Sequence, residues 1–162
     1  MPYCQLYYHL VWGTKKRAPL LIPEVEALIY GFIRSKAMGL GAAVHALNGI
    51  EDHVHLIAEI PPAIAVSTFI GQVKGVASAR LSKLRRDEAP FAWQAEYGAF
   101  SFGRKQLPDH VAYVLRQKEH HRSKHLIPAL EQLGQEKRTA VAEQAPLYAV
   151  ADDDWWHEML QL

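Results

Sequence analysis

Apolar positions recur along the chain with the two periods that separate strands from helices, and the switches between them mark its elements. Residues 3 to 12, YCQLYYHLVW, are rich in β-formers and alternate, which places Cys4, Leu6, Tyr8, Leu10 and Trp12 on one strand face. The stretch GTKKRAPLLI then reads as a loop. Pro23 opens a helix in which Val25, Leu28, Ile29, Phe32 and Ile33 form one buried stripe, ended by Gly39 and Gly41. AAVHALNGI and HVHLIAEI follow as two strands, joined through Glu51 and Asp52 into a hairpin and stopped by Pro61 and Pro62.

Ser67 is the expected cap of a second helix, with Ile70, Val73, Ala77, Leu81 and Leu84 facing the core. Lys74, Ser78, Ser82 and Arg85 lie along another side, and Gly71 and Gly75 leave room for close approach to the backbone. A strand YGAFSF comes next, and Pro108 starts a helix through about residue 123. Strand, helix, strand, strand, helix, strand is the split βαβ pattern of a ferredoxin-like sheet. The expected class is therefore α+β: an antiparallel sheet with helices on one face, plus a C-terminal helix. Residues 1 to 125 form this domain, and residues 126 to 162 read as a weakly specified extension.

Composition and charge narrow the picture. The 162 residues are 49% apolar, enough for a real core, and most simply form one domain. Cys4 is the single cysteine, which excludes a disulfide framework and a cysteine-based zinc knuckle and suits a reducing compartment. The first residues lack the features of a signal peptide and no apolar run approaches the roughly 20 residues that span a bilayer, so the expectation is a cytoplasmic protein. Net charge is only +1, but its distribution is uneven. Residues 74 to 86 hold five basic and no acidic residues, residues 104 to 124 hold six basic against Asp109 and Glu119, and from 131 onward seven acidic residues face Lys137 and Arg138. A mildly basic body with an acidic tail often marks a polyanion-binding surface, and solvated helix faces would show the same charge pattern.

The chemistry concentrates in two places. In EDHVHLIAEI, His53 and His55 project from one side of a strand, about 6.6 Å apart along it, while Val54, Leu56, Ala58 and Ile60 take the other. The second set is what packs against helices, so the imidazoles fall on the face that helices do not have to cover. Paired imidazoles there make half of a metal site, and the same spacing also suits two partly buried, hydrogen-bonded histidines. In LPDHVAYVLRQKEHHRSK, Tyr113 and Gln117 are neighbours on one polar helical face, His120 continues their line, and Val111, Val114 and Leu115 mark the buried side. Alone, that pair is an ordinary exposed tyrosine with a neighbouring amide.

Four stretches in order, YYHLVWGTKKRAPLL, NGIEDHVHLIAEIPP, KGVASARL and WQAEYGAFSF, together with the tyrosine helix, resemble the single-tyrosine HUH transposases. That family includes the insertion-sequence single-strand transposases and the REP-associated tyrosine transposases. The resemblance covers residues 3 to about 124. It implies that His53 and His55 bind a divalent metal, that Tyr113 is the nucleophile and that Gln117 supplies a third ligand. The family metal is magnesium or manganese, whereas two histidine ligands by themselves favour manganese or later transition metals. The implied reaction cleaves and rejoins single-stranded DNA, carrying a hairpin, through a phosphotyrosine on the DNA 5′ end, and the family pattern implies a homodimer.

Supporting roles are expectations of a weaker kind. Lys74 and Ser78, extended by Arg104, Lys105, Arg116 and Lys118, are candidate contacts to DNA phosphates. Asp52 at the turn and Glu59 on the histidine face are candidates to orient an imidazole, Trp93 and Phe100 to stack on bases, and His120 to add a ligand. Two further readings stay open: a domesticated DNA-hairpin-binding module that does not cut, and a mononuclear metal hydrolase using His53, His55 and His120. In the tail, DDDWW either folds over the basic face and competes with DNA or simply docks onto the core.

Overall fold

A computed structural model of the chain describes residues 2 to 134 except 87 and 89. Four strands form one antiparallel sheet: β1 (Tyr7–Gly13), β2 (Ala43–Ile50), β3 (His53–Glu59) and β4 (Gly98–Phe102), in the order β2-β3-β1-β4. Helices α1 (Pro23–Gly39) and α2 (Val66–Leu84) make the two crossovers, so the expected ferredoxin-like arrangement is present. Glu51 and Asp52 close the β2–β3 hairpin. β3 lies between β2 and β1, which puts the HVH segment in the interior of the sheet with its ladder groups paired on both sides.

Alternation along these strands separates two layers. Leu10 and Trp12 of β1, Leu47 of β2 and Val54, Leu56 and Ala58 of β3 join Val25, Ile29, Ile33 and Ala37 of α1 and Phe69, Ile70, Val73, Ala77 and Leu81 of α2 in the main core. The opposite face carries His9, His53, His55, Ala46 and Ile57 and is covered by α3 (Leu107–Leu115) and α4 (Gln117–Ser123), with Val114 packed on Ala46 and Ile57. The imidazole face is thus closed over rather than left open. No helix among the described residues is long and apolar enough to cross a membrane.

Several sequence expectations shift. β1 starts at Tyr7, leaving Cys4 and Leu6 ahead of it. In α1 the buried row is Val25, Ile29, Ile33 and Ala37, whereas Leu28 is exposed. The helix lies on the sheet along one i, i+4 row, which leaves Leu28 at its margin. α2 begins at Val66 with Ser67 inside it and no side-chain cap, and Leu84 emerges into solvent in the last turn. The single helix expected from Pro108 to residue 123 is broken at Arg116, whose φ of −100° and ψ of 17° depart from helical values. Asn48 Nδ2 donates to the Leu115 carbonyl at 3.0 Å, giving that group a partner on β2 where the helix ladder is interrupted. The break turns Leu115, expected on the buried side, out to solvent.

Candidate metal and tyrosine site

The hairpin register determines where each ring starts. On β3, His53 stands opposite Gly13 and Ile50, and His55 opposite Val11 and Asn48. Gly49 is required here, because a Cβ would collide with the His53 carbonyl oxygen. α3 lays Tyr113 over the rings, with 6.0 Å between the His55 and Tyr113 ring centres, and α4 brings Gln117 in from its first turn. His53, His55 and Gln117 are fully buried and Tyr113 is 6% exposed. The two expected constellations, on elements some sixty residues apart, meet in one place.

What joins them is Glu131, from a short 3-10 turn (Pro128–Glu131) inside the expected extension. Its Oε2 lies 3.2 Å from His53 Nε2 and 3.3 Å from His55 Nε2, while Tyr113 Oη donates to its Oε1 at 2.5 Å. Gln117 Nε2 donates to the same oxygen at 3.5 Å, and the Ile127 amide donates to Tyr113 Oη at 3.2 Å. Gly98 makes this return possible, since a Cβ there would strike the Gln132 carbonyl. No periodicity or motif around Pro128 pointed to Glu131.

Each histidine is held from behind. His53 Nδ1 pairs with Asp52 Oδ1 at 2.6 Å, and Arg17 grips the same carboxylate with Nε and Nη2, each at 3.2 Å. Thr14 Oγ1 ties that loop to the Ala18 and Asp52 carbonyls at 2.6 and 3.2 Å. Lys16 and Arg17 both sit at φ 56°, a region non-glycine residues occupy only under constraint, and the turn aims Arg17 at Asp52. His55 Nδ1 pairs with His9 Nε2 at 2.8 Å, and His9 Nδ1 pairs with His110 Nδ1 at 2.9 Å. A carboxylate behind one imidazole and a nitrogen behind the other leave both Nε2 atoms facing the site.

The electrostatics follow from burial and these partners. Burial lowers the His55 pKa. Burial also opposes protonation of His53, but the Asp52 and Glu131 carboxylates outweigh it and raise its pKa. Burial works against ionised Glu131, yet the His53 and His55 rings and the Tyr113 hydroxyl hold it well below the usual carboxylate range. The Tyr113 phenol is pushed up to about 12, first by burial and then by its bond to Glu131.

The donor set fits a divalent cation. His53 Nε2 is misaligned for a hydrogen bond to Glu131 despite its proximity, and Gln117 Oε1 is buried with no partner among the described residues. His53, His55 and Glu131 alone bring three ligand atoms within 4.8 Å of one another. Two imidazole nitrogens, an amide oxygen and a carboxylate suit manganese or zinc at least as well as magnesium.

The remaining sequence candidates fall elsewhere. His120 stacks on the Tyr113 ring, centres 4.9 Å apart, whereas the neighbouring His121 faces His53 at 4.8 Å and Glu131 at 3.7 Å. The helix break rotates the pair, so a third imidazole at the site is His121 and not His120. Asp52 orients His53, while Glu59 at the far end of β3 lies 3.9 Å from His45. Lys74 is buried, its ammonium donating to the Gln94, Ala95 and Glu96 carbonyls at 2.6, 3.3 and 3.4 Å, and Ser78 donates back to the Lys74 carbonyl at 3.0 Å. Lys118 donates to Glu26, Asn48 and the Gly49 carbonyl, pinning α4 to the hairpin. Trp93 packs on Trp12 and Phe91, and Phe100 meets His9 edge-on at 6.4 Å, so both rings serve packing. Arg104, Lys105 and Arg116 are exposed. DDDWW lies outside the described residues.

A model of the family described as IS200-like transposases matches residues 2 to 117, a span that includes both histidines, the tyrosine and the glutamine. The chain belongs to the IS200-like transposase family. It is 34% identical over 77 residues to the ISDra2 transposase TnpA of Deinococcus radiodurans, covering 48% of this chain and 55% of that one. It is 30% identical over 74 residues to the transposase for insertion sequence element IS200 of Salmonella typhimurium, covering 46% and 49%. The chain thus spans about half the length of these curated relatives in the matched region. Two solved structures share the fold. One, from Deinococcus radiodurans and described as a candidate transposase, has a TM-score of 0.57 at 24% identity, over 72% of this chain and 93% of the other. The second is a REP-associated tyrosine transposase bound to a REP hairpin, with a TM-score of 0.58 at 13% identity over 86% and 93%.

Proposed function

We propose that this IS200-like family member nicks and joins single-stranded DNA through a covalent phosphotyrosine at Tyr113, with a divalent metal held by His53, His55 and Gln117. The observation that carries the reading is convergence: the Tyr113 hydroxyl and both Nε2 atoms meet at a single carboxylate. Glu131 shows that an oxyanion fits between the phenol and the imidazoles, and a scissile phosphate presents the same chemistry. A bound cation there supplies Lewis-acid polarisation of a phosphate oxygen.

The chain's own residues do the rest. Tyr113 Oη attacks phosphorus as the P–O3′ bond breaks, leaving a 5′-phosphotyrosine and a 3′-hydroxyl that takes up the displaced proton. Because one phosphodiester replaces another, a second 3′-hydroxyl reverses the step and joins strands with no nucleotide cofactor. Asp52 and His9 hold the histidine rings in place. With Glu131 bonded to it, Tyr113 holds its proton far above neutral pH, so the reactive arrangement has Glu131 withdrawn and the phosphate in its position.

Hairpin-bearing single-stranded DNA is the proposed substrate, and exposed Arg104, Lys105 and Arg116 are its proposed phosphate contacts. A homodimer is proposed as well, supported by the outer edge of β2, which pairs with no strand among the described residues. A monomeric mass by light scattering at working concentration would count against it. The test of the chemistry is to incubate end-labelled hairpin DNA with the protein and manganese or magnesium, then resolve products under denaturing conditions. A labelled protein adduct lost on chelation and absent from Tyr113→Phe is the expected result. An adduct that persists in Tyr113→Phe rejects Tyr113 as nucleophile. Hairpin binding with no adduct from the unaltered protein would point to a non-cutting binding module.

A further inference from the structure

His9 is fully buried on this face, directly behind His55. Its two ring nitrogens are both engaged, Nε2 with His55 and Nδ1 with His110, so three imidazoles form a continuous chain. The chain starts at a ligand atom's ring and ends on α3, at a half-buried histidine stacked on Phe102 with centres 3.9 Å apart and planes 8° from parallel. We propose that His9 is a positioning residue for the metal site, and that His55, His9 and His110 form a hydrogen-bond wire whose direction reports what His55 Nε2 faces.

A neutral imidazole carries one N–H and one lone pair, so in a chain of nitrogen-to-nitrogen bonds every link must point the same way. With Glu131 at 3.3 Å, His55 Nε2 carries the proton and donates to the carboxylate. His55 Nδ1 must then accept from His9 Nε2–H, and His9 Nδ1 from His110 Nδ1–H. A cation at the site needs the His55 Nε2 lone pair, and every link then reverses. The proton on His55 Nε2 leaves, the two shared protons cross gaps of 2.8 and 2.9 Å, and His110 Nε2 takes up one from solvent. Each ring keeps one proton throughout, and the total charge of the three does not change. Burial favours the neutral form in all three rings.

The wire has a second consequence. His110 lies three residues before Tyr113 on α3, so the bond that sets the His55 tautomer also ties the nucleophile's helix to β1. This inference rests on the proposed metal site, and its test separates the two. Side-chain ¹⁵N spectra of the full-length protein are recorded at neutral pH while zinc, a diamagnetic probe, is added. His55, His9 and His110 are each expected to exchange one tautomer for the other, although only His55 touches the ion. A change at His53 and His55 with His9 and His110 unmoved overturns the wire and leaves the metal site standing. No change at His53 or His55 overturns both.

His110→Phe keeps the ring stacked on Phe102 and removes the last link. It leaves His9 on His55 and is expected to weaken manganese affinity by about threefold, short of the roughly 10-fold found when a metal ligand loses its direct outer partner. His9→Phe, which removes both links, is expected to weaken it further. Unchanged affinity in both variants, with native thermal unfolding, overturns the positioning role.

Discussion

The two faces of the sheet are built from the same strands, residue by residue, and obey different rules. On the α1–α2 side, Leu10, Leu56 and Val54 join the main apolar core, where burial itself accounts for their order. On the other side, one residue along, His9, His55 and His53 are buried just as completely. There the buried rings are held by hydrogen bonds, His9 to His55 and His110 and His53 Nδ1 to Asp52, as buried polar groups generally are. The contrast shows that the second face is held by a directional network, in which each member orients its neighbours. A fold that needed only a second core would have used Val and Ile there.

The comparison can be broken most severely at its chemical end. Tyr113→Phe keeps the ring on His55 and removes only the hydroxyl, and it is expected to reduce adduct formation by about 10⁴-fold or more in single-turnover assays. Next, His53→Leu should lower manganese affinity by at least about 100-fold by calorimetry. Because Asp52 keeps Arg17 as partner, unfolding free energy should shift by no more than about 1 kcal/mol in urea. Leu56→Ala on the apolar face is the converse. It should cost about 2 to 5 kcal/mol of stability and leave metal affinity within about threefold. If the two variants show similar stability losses, the faces do not differ as described.

Smaller effects sharpen the picture. Lys74→Met removes an ammonium from three carbonyls of the segment leading into β4, and it should cost about 1 to 3 kcal/mol. Hairpin affinity measured well below the melting point should stay unchanged, whereas a phosphate-binding role would make it fall and flatten its salt dependence. Glu131→Gln keeps the shape but removes the charge that competes with phosphate. Single-turnover nicking is expected to rise by about threefold, the order of effect of a single partly exposed ion pair. A fall in nicking would make Glu131 a ligand instead.

How much was legible varies with distance along the chain. The βαββαβ order, the hairpin at Glu51 and Asp52, the shared face of His53 and His55 and the Tyr113–Gln117 pair all follow from spacing within a single element. Helix margins were less legible: Leu28 and Leu84 continue an apolar period yet lie beyond the packed surface. At the break at Arg116, the Leu115 carbonyl is taken up by Asn48, sixty-seven residues away, a contact with no local trace in the sequence. Arg17, His9, His110, His121 and Glu131 were missed for the same reason. Of these, His9 carried a faint signal, since alternation in YYHLVW sets it opposite Leu10 and so on the side of a polar face.

By itself the sequence determined which residues share a face, because backbone geometry repeats every two or every three to four residues and side chains follow it. It determined too that one strand carries an imidazole pair and one helix a tyrosine. Only the tertiary structure decided that these meet, that the polar face is covered, and that a glutamate from residues 128 to 131 sits between them. Those facts depend on strand register and on where a segment returns, and both are set by contacts between residues far apart in the chain, which no local period encodes.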